Sequence, residues 1–452
     1  MAYDFDLIVI GSGAGGSVGA HHAASLGKKV AVFEKGDVGG ECPNWACVPT
    51  KALLTAAEAY ETAKLSGKFG ISTGEVSFDY SKIRDWKNLV VSRTGAAHGE
   101  ESLKENNITL IKEKAQFVSA HEVLAGEKTY SAEYLLIATG SDVFIPPIPG
   151  IEESGYITFR QAVDFDHLPK SIFILGGGPI GCEFAQIFST LGSEVYLADT
   201  LPALMAREEK EVGALLQALF EHRKVKVKVS CQVSKIEKTG TSKKITYTIH
   251  GREETAEVEE ILVATGKKPV TDIDMEKAGV TYDKKMIHVN EFLQTTTPNI
   301  YASGDIVGPF LFTHTGNYQS YIAVNNMFSE NKISPDYTVV PRCVFTEPEV
   351  GTVGITEAAA IEKGIKIKKA AVPISILGRA NTADAFDGFV KVITDENEVI
   401  LGAAIVAPRA GEMIHELALA MKLKARASDV AEMIHAYPTF SEAIKIVCAN
   451  VE

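Results

Sequence analysis

One unit occurs twice in this chain. The first copy opens with Asp6-Leu7-Ile8-Val9-Ile10, a short apolar run of the kind that forms a buried strand. Gly11-Ser12-Gly13-Ala14-Gly15-Gly16 follows, then a helix-compatible stretch to Leu26, and a second apolar run, Val30-Ala31-Val32-Phe33, that ends at Glu34. The second copy opens with Ser171-Ile172-Phe173-Ile174-Leu175. It continues through Gly176-Gly177-Gly178-Pro179-Ile180-Gly181 and a helical stretch to about Leu191, and its second strand, Glu194-Val195-Tyr196-Leu197-Ala198, ends at Asp199. Glu34 and Asp199 each lie 23 positions beyond the first glycine of their copy.

Each part of this pattern has a physical task in dinucleotide binding. The first glycine, Gly11 or Gly176, allows the tight turn out of the strand. The second, Gly13 or Gly178, lets a pyrophosphate reach the backbone, and the third, Gly16 or Gly181, lets helix and strand pack closely. The helix N-terminus offers free N–H groups and the positive end of its dipole. The acid accepts hydrogen bonds from the adenosine ribose. A single glycine loop often makes only a turn, but two copies in the same strand–turn–helix context at the same spacing specify two dinucleotides, and two dinucleotides imply electron transfer between them. Each copy has a further echo, Leu136-Ile137-Ala138-Thr139-Gly140 and Leu262-Val263-Ala264-Thr265-Gly266, expected as a short strand returning to the edge of its nucleotide site.

The remaining organisation follows from punctuation and periodicity. The 452 residues are too many for one core. Pro146-Pro147-Ile148-Pro149-Gly150 reads as a boundary, as does the region of Lys267-Lys268-Pro269. From about Tyr337 the pattern changes. Residues 389–393 and 399–404 read as a hairpin around Asp395-Glu396-Asn397, and 411–422 and 428–435 as helices, together a separate α+β unit. The net charge of −13 argues against nucleic acid as a partner. No apolar run approaches the roughly 18 residues that span a membrane. The start, Met1-Ala2-Tyr3-Asp4-Phe5-Asp6, is acidic and leads into a strand, so the expected location is the cytoplasm.

Of six cysteines, only Cys42 and Cys47 are close in sequence. A close pair in a long cytosolic chain reads as metal-binding or redox-active. A closed zinc site needs two further ligands with their own tight spacing, which nothing downstream supplies, so no metal is expected. The segment Gly39-Gly40-Glu41-Cys42-Pro43-Asn44-Trp45-Ala46-Cys47-Val48-Pro49-Thr50-Lys51 places the pair before a helix expected to begin near Pro49. A helix N-terminus stabilises thiolates, and thiolates carry disulfide exchange. Cys182, Cys231 and Cys343 read as buried small hydrophobes and Cys448 as a helix-face residue.

That segment resembles the active-site stretch of the pyridine-nucleotide disulfide oxidoreductases, the class that includes dihydrolipoamide dehydrogenase, glutathione reductase and mercuric reductase. The resemblance extends over nearly the whole chain. It takes in both glycine fingerprints, Ile300-Tyr301-Ala302-Ser303-Gly304-Asp305, Val344-Phe345-Thr346-Glu347-Pro348-Glu349-Val350 and Pro438-Thr439-Phe440-Ser441-Glu442. It implies an α/β fold with two Rossmann-like domains, as in glutathione reductase: FAD on 1–148 and 269–336, NAD on 149–268, and an α+β dimerisation domain at 337–452. Cys42 is then the interchange thiol that meets substrate. Cys47 is the flavin-proximal thiol in charge-transfer contact with FAD, Lys51 the lysine near flavin N5 and Glu183 its ion-pair partner. Asp305 matches the aspartate that holds the ribityl chain. The residues expected at the cofactors are Gly11, Ser12, Gly13, Gly16, Glu34, Lys51, Ala115, Thr139, Gly140, Asp305, His314, Gly176, Gly178, Ile180, Gly181, Asp199 and Gly266. Asp199 favours NAD, because a carboxylate repels the extra phosphate of NADP, although Arg207 is near enough in sequence to compensate.

The chain departs from the pattern at one place. Disulfide-reducing members carry a histidine before Pro-Thr, supplied by the partner subunit and paired with a glutamate five residues later. Here that position is Tyr437, in Ile434-His435-Ala436-Tyr437-Pro438-Thr439, while Glu442 is kept. Histidine accepts a proton near pH 7, whereas a phenol is a poor base there. His435 is a substitute only if it reaches the same place, and its plain reading is a helix-end cap or surface residue. Mercuric reductases also carry tyrosine at this point, but the paired C-terminal cysteines they use are absent. Three functions follow: a dihydrolipoamide dehydrogenase-like oxidoreductase acting on a small or protein-bound disulfide or dithiol as a homodimer, a mercuric reductase-like reductase of a metal ion or quinone, and a flavin-bearing sensor with little turnover.

Overall fold

In the computed structural model, which describes residues 3–452, the two copies each build a parallel sheet. Met1 and Ala2, at the head of the acidic start and of the 1–148 span, lie outside the described residues. In the first copy Phe5–Ile10 pairs in parallel with Val30–Phe33 on one side and Lys128–Ile137 on the other. Thr109–Ile111 extends one edge, and Ile300–Ala302 joins Lys128–Ile137. The antiparallel strands Ala115–Ser119 and Glu122–Ala125 complete seven. Leu7, Ile8 and Val9 are fully buried, as a parallel sheet covered on both faces requires. The helix Ala14–Ser25 crosses Thr313–Phe328 so closely that the Gly19 N–H donates to Ser320 Oγ at 2.8 Å.

The second copy repeats the plan. Its strands lie in the order Lys226–Lys228, Glu194–Ala198, Ser171–Leu175, Glu260–Val263, all parallel. A three-stranded antiparallel sheet, Cys231–Thr239, Ser242–Ile249 and Arg252–Val258, packs on it, with Tyr247 against Phe173 at 5.8 Å between ring centroids. The glycine turns are superposable in their constraints. Gly11 and Gly176 have φ of +104° and +115°, and a Cβ on either would meet the Ala138 or Ala264 carbonyl oxygen at 2.3 Å. A Cβ on Gly16 or Gly181 would lie 2.0 or 1.8 Å from the carbonyl oxygen of that first glycine, so the helix start leaves no room for a side chain.

The returning strands end at Ile137 and Val263, before the Ala-Thr-Gly triplets, which form loops instead of the expected strand ends. The cause is the threonine in each triplet. Thr139 Oγ1 donates to the Val270 carbonyl and Thr265 Oγ1 to the Phe144 carbonyl, both at 2.7 Å. These bonds turn each loop onto an antiparallel ribbon, Ser141–Val143 with Lys267–Pro269, where the chain passes between the two sheets.

The last part of the chain is an antiparallel sheet in the order Arg342–Val344, Glu349–Gly354, Ile400–Ala407, Phe389–Thr394, Lys368–Pro373. Helices Ala410–Lys422 and Glu442–Cys448 bury its apolar side chains. The helix expected over 428–435 covers only Ala427–Glu432, because Met433 is extended and His435 turns back toward Ala410–Lys422. There His435 Nε2 lies 2.8 Å from Glu416 Oε1, with 4% of its side chain exposed, so it is neither a cap nor a surface residue. No helix among the described residues is long and apolar enough to cross a membrane.

Candidate active site

The two glycine loops have the form of phosphate cradles. The helices Ala14–Ser25 and Pro179–Leu191 begin at Gly13 and Gly178, and no side chain caps either end. A Cβ on Gly178 would meet nothing within 4 Å, and one on Gly13 only the Gly40 Cα at 3.8 Å. The space in front of both N-termini is thus open to a ligand, and their N–H groups face it. Glu34 accepts from Ser12 N–H at 3.0 Å, Ser12 Oγ–H at 2.7 Å and Gly36 N–H at 2.8 Å. Asp199 accepts from Gly177 N–H at 2.7 Å and Leu201 N–H at 2.8 Å. Both carboxylates are therefore pinned beside their glycine turns with lone pairs to spare. These donor and acceptor sets fit one dinucleotide each.

Other residues expected at the cofactors are less concentrated. Ile180 is half-buried in the first turn of its helix, and Gly140 and Gly266 have φ of +70° and +110° in the loops beside the cradles. Ala115 is buried at the start of its strand. Asp305 Oδ2 accepts from Ser141 Oγ–H at 2.5 Å. His314 is exposed and stacks on Phe312, centroids 5.2 Å apart. Arg207 is exposed, with no ion-pair partner among the described residues.

The cysteines come together at the edge of the first cradle. Cys42 lies in the short helix Glu41–Asn44, and Cys47 is the first residue of Cys47–Leu65. That helix starts two residues earlier than expected. Pro49 is its third residue, where its missing N–H belongs to the set no helix can pair, so the proline does not delay the start. Cys42 hydrogen-bonds Cys47, and Cys47 Sγ is 3.6 Å from Thr313 Oγ1. These hydrogen bonds, with the nearby Lys51 cation, lower the Cys47 thiol to about 6 against the opposing effect of burial. The same sharing, with burial, pushes Cys42 well above the ordinary thiol range. The pair therefore favours keeping its proton on Cys42 and its negative charge on Cys47. One turn along the helix, Lys51 Nζ donates to Glu183 Oε1 and Oε2 at 2.9 and 2.8 Å and lies 4.7 Å from the Phe345 ring centroid. Glu183 is buried and also accepts from Phe345 N–H at 3.0 Å, so its carboxylate fixes where the lysine sits.

Four expected residues thus converge: Cys42, Cys47, Lys51 and Glu183. Thr313 was not foreseen, since it lies 266 positions from Cys47 and carries no local signal. Tyr437 stands apart, 78% exposed, its hydroxyl 2.9 Å from where a Cβ on Gly378 would lie. Glu442 does not pair with it; its Oε2 accepts from Thr439 N–H at 3.0 Å and holds the Pro-Thr turn. Cys182, Cys231 and Cys448 are buried, but Cys343 is only half-buried, its thiol pushed up to about 12 by burial.

Two open dinucleotide cradles beside a polarised thiol pair define a flavin- and nicotinamide-dependent thiol redox protein, and the comparisons with known proteins agree. Residues 5–326 match the family model described as pyridine nucleotide-disulphide oxidoreductase, and 340–448 match that family's dimerisation domain. The chain is 35% identical over 452 residues to the dihydrolipoyl dehydrogenase of Geobacillus stearothermophilus, covering 98% of this chain and 95% of that one. It is 36% identical over 448 residues to that of Thermus scotoductus, covering 97% and 96%. Among solved structures it is similar to the HOCl-induced flavoprotein disulfide reductase RclA of Escherichia coli, with a TM-score of 0.88 at 27% identity over 99% of this chain and 100% of that one. A Cu(II) complex of RclA matches at 0.89, also at 27% identity, over 100% of both chains. The chain belongs to the pyridine nucleotide-disulphide oxidoreductase family. It is an FAD-dependent disulfide oxidoreductase that uses a pyridine nucleotide, and its C-terminal unit is the family's homodimerisation domain.

Proposed function

We propose that the protein is an NADH-dependent, dihydrolipoamide dehydrogenase-like enzyme in which the Cys42–Cys47 pair exchanges two electrons with a small or protein-bound disulfide. The observation that supports this most strongly is the placement of Cys47 at a helix N-terminus, hydrogen-bonded with Cys42 and Thr313 and one turn from the Lys51 cation, a setting that favours the thiolate. When bound, FAD supplies the two-electron relay between the nicotinamide and the sulfurs.

The chain's own residues do the rest. Gly13 and Gly178 admit the pyrophosphates to the helix ends, and Glu34 and Asp199 take the riboses. Asp305 is placed to accept from the ribityl chain, and Lys51, oriented by Glu183, offers a fixed positive charge where negative charge builds up. For disulfide reduction, Cys42 loses its proton and attacks one substrate sulfur, forming a mixed disulfide and releasing the other sulfur as a thiolate. Cys47 then attacks the Cys42 sulfur, which releases the second thiolate and leaves the Cys42–Cys47 disulfide. The proton on Cys42 and one from solvent end on the two products. The domain spans 1–148 with 269–336, 149–268 and 337–452 serve as working units, with the ribbon where the chain crosses between the first two. A reducing cytoplasm suits a chain whose four other cysteines are unpaired.

A second reading has a specific observation behind it. Tyr437 occupies the histidine position, and RclA, similar over the whole chain, has been solved as a Cu(II) complex. Under this reading the thiol pair delivers its electrons to a soft metal ion. A panel of lipoamide, glutathione disulfide, mercuric ion, Cu(II) and quinones under NADH separates the two. The first reading expects lipoamide to give the highest kcat/KM; turnover confined to metal ions or quinones overturns it. Coenzyme choice is tested with Asp199→Ser, which should raise the NADPH-to-NADH ratio of kcat/KM by roughly tenfold, equivalent to about 1.4 kcal/mol. An unchanged ratio removes Asp199 from the specificity site.

A further inference from the structure

Cys42 is preceded by Glu41, a carboxylate at the threshold of the thiol pair. Its backbone carbonyl accepts both Trp45 N–H and Ala46 N–H at 2.8 Å, which closes the turn that brings Cys47 back to Cys42. Its side chain is fastened from two other parts of the fold. Arg160, on the short helix Phe159–Ala162 of the second Rossmann unit, donates to Glu41 Oε1 at 2.8 Å and lies 5.3 Å from the ring centroid of Trp45, within the cysteine turn. Lys267, on the interdomain ribbon, donates to Glu41 Oε2 and lies 3.7 Å from Asp305. Glu41 and Lys267 are each only 19% exposed. Asp142, opposite Lys268 on the ribbon, is 3.5 Å from Arg160.

We propose that Glu41, Arg160 and Lys267 are positioning residues that set the ionisation of Cys47, and that they couple the thiol pair to the placement of the nicotinamide-binding unit. This rests on reading Cys42 and Cys47 as the redox pair. Two cations from the second unit and the ribbon converge on one carboxylate beside the thiols. The charge that reaches Cys47 is therefore what remains after Glu41, together with Asp142 and Asp305, offsets them. Any movement of the ribbon or of the helix Phe159–Ala162 changes that remainder. Burial alone would lower Lys267, but Glu41 and Asp305 outweigh it and hold its proton, and Cys47 is close enough to add to that effect. The other groups that face Cys47 are Cys42, Thr313, Lys51 and Glu183, and none of them belongs to the cluster.

The signs differ between variants. Glu41→Gln removes the negative charge that Arg160 and Lys267 share and should move the Cys47 titration down by about half a pH unit or more. Lys267→Met should move it up by a similar amount, and Lys267→Arg should restore it. Arg160→Met should also move it up, and it carries the test should Lys267→Met fail to fold. The measurement is the pH dependence of the iodoacetamide alkylation rate of Cys47 in the NADH-reduced holoenzyme, read by peptide mass spectrometry. Opposite shifts for Glu41→Gln and the cation variants support the coupling. Shifts in one common direction, as a loosened turn would give, or no shift in any variant, overturn it. If NADH fails to expose these two thiols in the parent enzyme, the redox-pair reading itself falls, which is a distinct result.

Discussion

Cys47→Ser should leave an enzyme that binds FAD and is reduced by NADH, yet shows no long-wavelength thiolate-to-flavin absorption and reduces disulfides at least about a thousandfold more slowly. The expectation follows from the division of labour in the pair. Cys47 is the sulfur held as an anion, by the hydrogen bond from Cys42, by Thr313 and by Lys51. A serine hydroxyl neither ionises in this range nor forms a disulfide with Cys42. Persistence of the absorption in the variant would assign it to another sulfur and sink the assignment. The same anion gives the parent enzyme a pH signature. A thiol lowered to about 6 is mostly ionised at pH 7 and about nine-tenths protonated at pH 5, so the absorption should fade as pH falls through 6 and hold steady above it. An absorption that instead rises only near pH 9 would contradict the lowered value.

Tyr437→His should raise lipoamide turnover by about tenfold or more, with the gain appearing above the imidazole's ordinary value of about 6.5. Cys42 keeps its proton under the influence of Cys47 and of burial, so the exchange step needs a base. A phenol at that position donates a hydrogen bond but is a poor acceptor near neutrality. The substitution is small in structural terms, because Tyr437 is largely exposed in the protomer and rests beside Gly378. His435 does not compensate, since its ring is held by Glu416. A profile of kcat against pH for both proteins checks this. An unchanged profile would show that the tyrosine position does not limit thiol exchange.

The parts of the fold that repeat locally were legible in the sequence. The glycine turn, helix and acid lie within 23 positions directly after an apolar strand, so short-range spacing alone locates both cradles. Cys42 and Cys47 share one segment and could be read in the same way, whereas Lys51 took its role from the resemblance. Glu183 came only through resemblance, because its meeting with Lys51 joins elements 132 positions apart. Thr313 and the Arg160–Glu41–Lys267 cluster are of the same kind, and no periodicity marks them. Local errors also have local causes. Pro49 looked like a helix start, but it is tolerated in the third helical position, which gives Cys47 the terminal one. The Ala-Thr-Gly triplets continue an apolar run, yet threonine side chains bind carbonyls across the ribbon and end the strands. The short helix Ala427–Glu432 ends where the buried contact between His435 and Glu416 draws the chain away, a tertiary effect on a sequence that is otherwise helix-compatible.

The most direct measurement is an anaerobic titration of the FAD-loaded enzyme with one equivalent of NADH, followed by alkylation and peptide mapping. Electrons that pass through to sulfur should make two thiols newly reactive, those of Cys42 and Cys47, while the flavin spectrum keeps its oxidised peak and gains a long-wavelength shoulder. Bleaching of the flavin with no new thiol at either cysteine would show that the electrons stop short of the sulfurs.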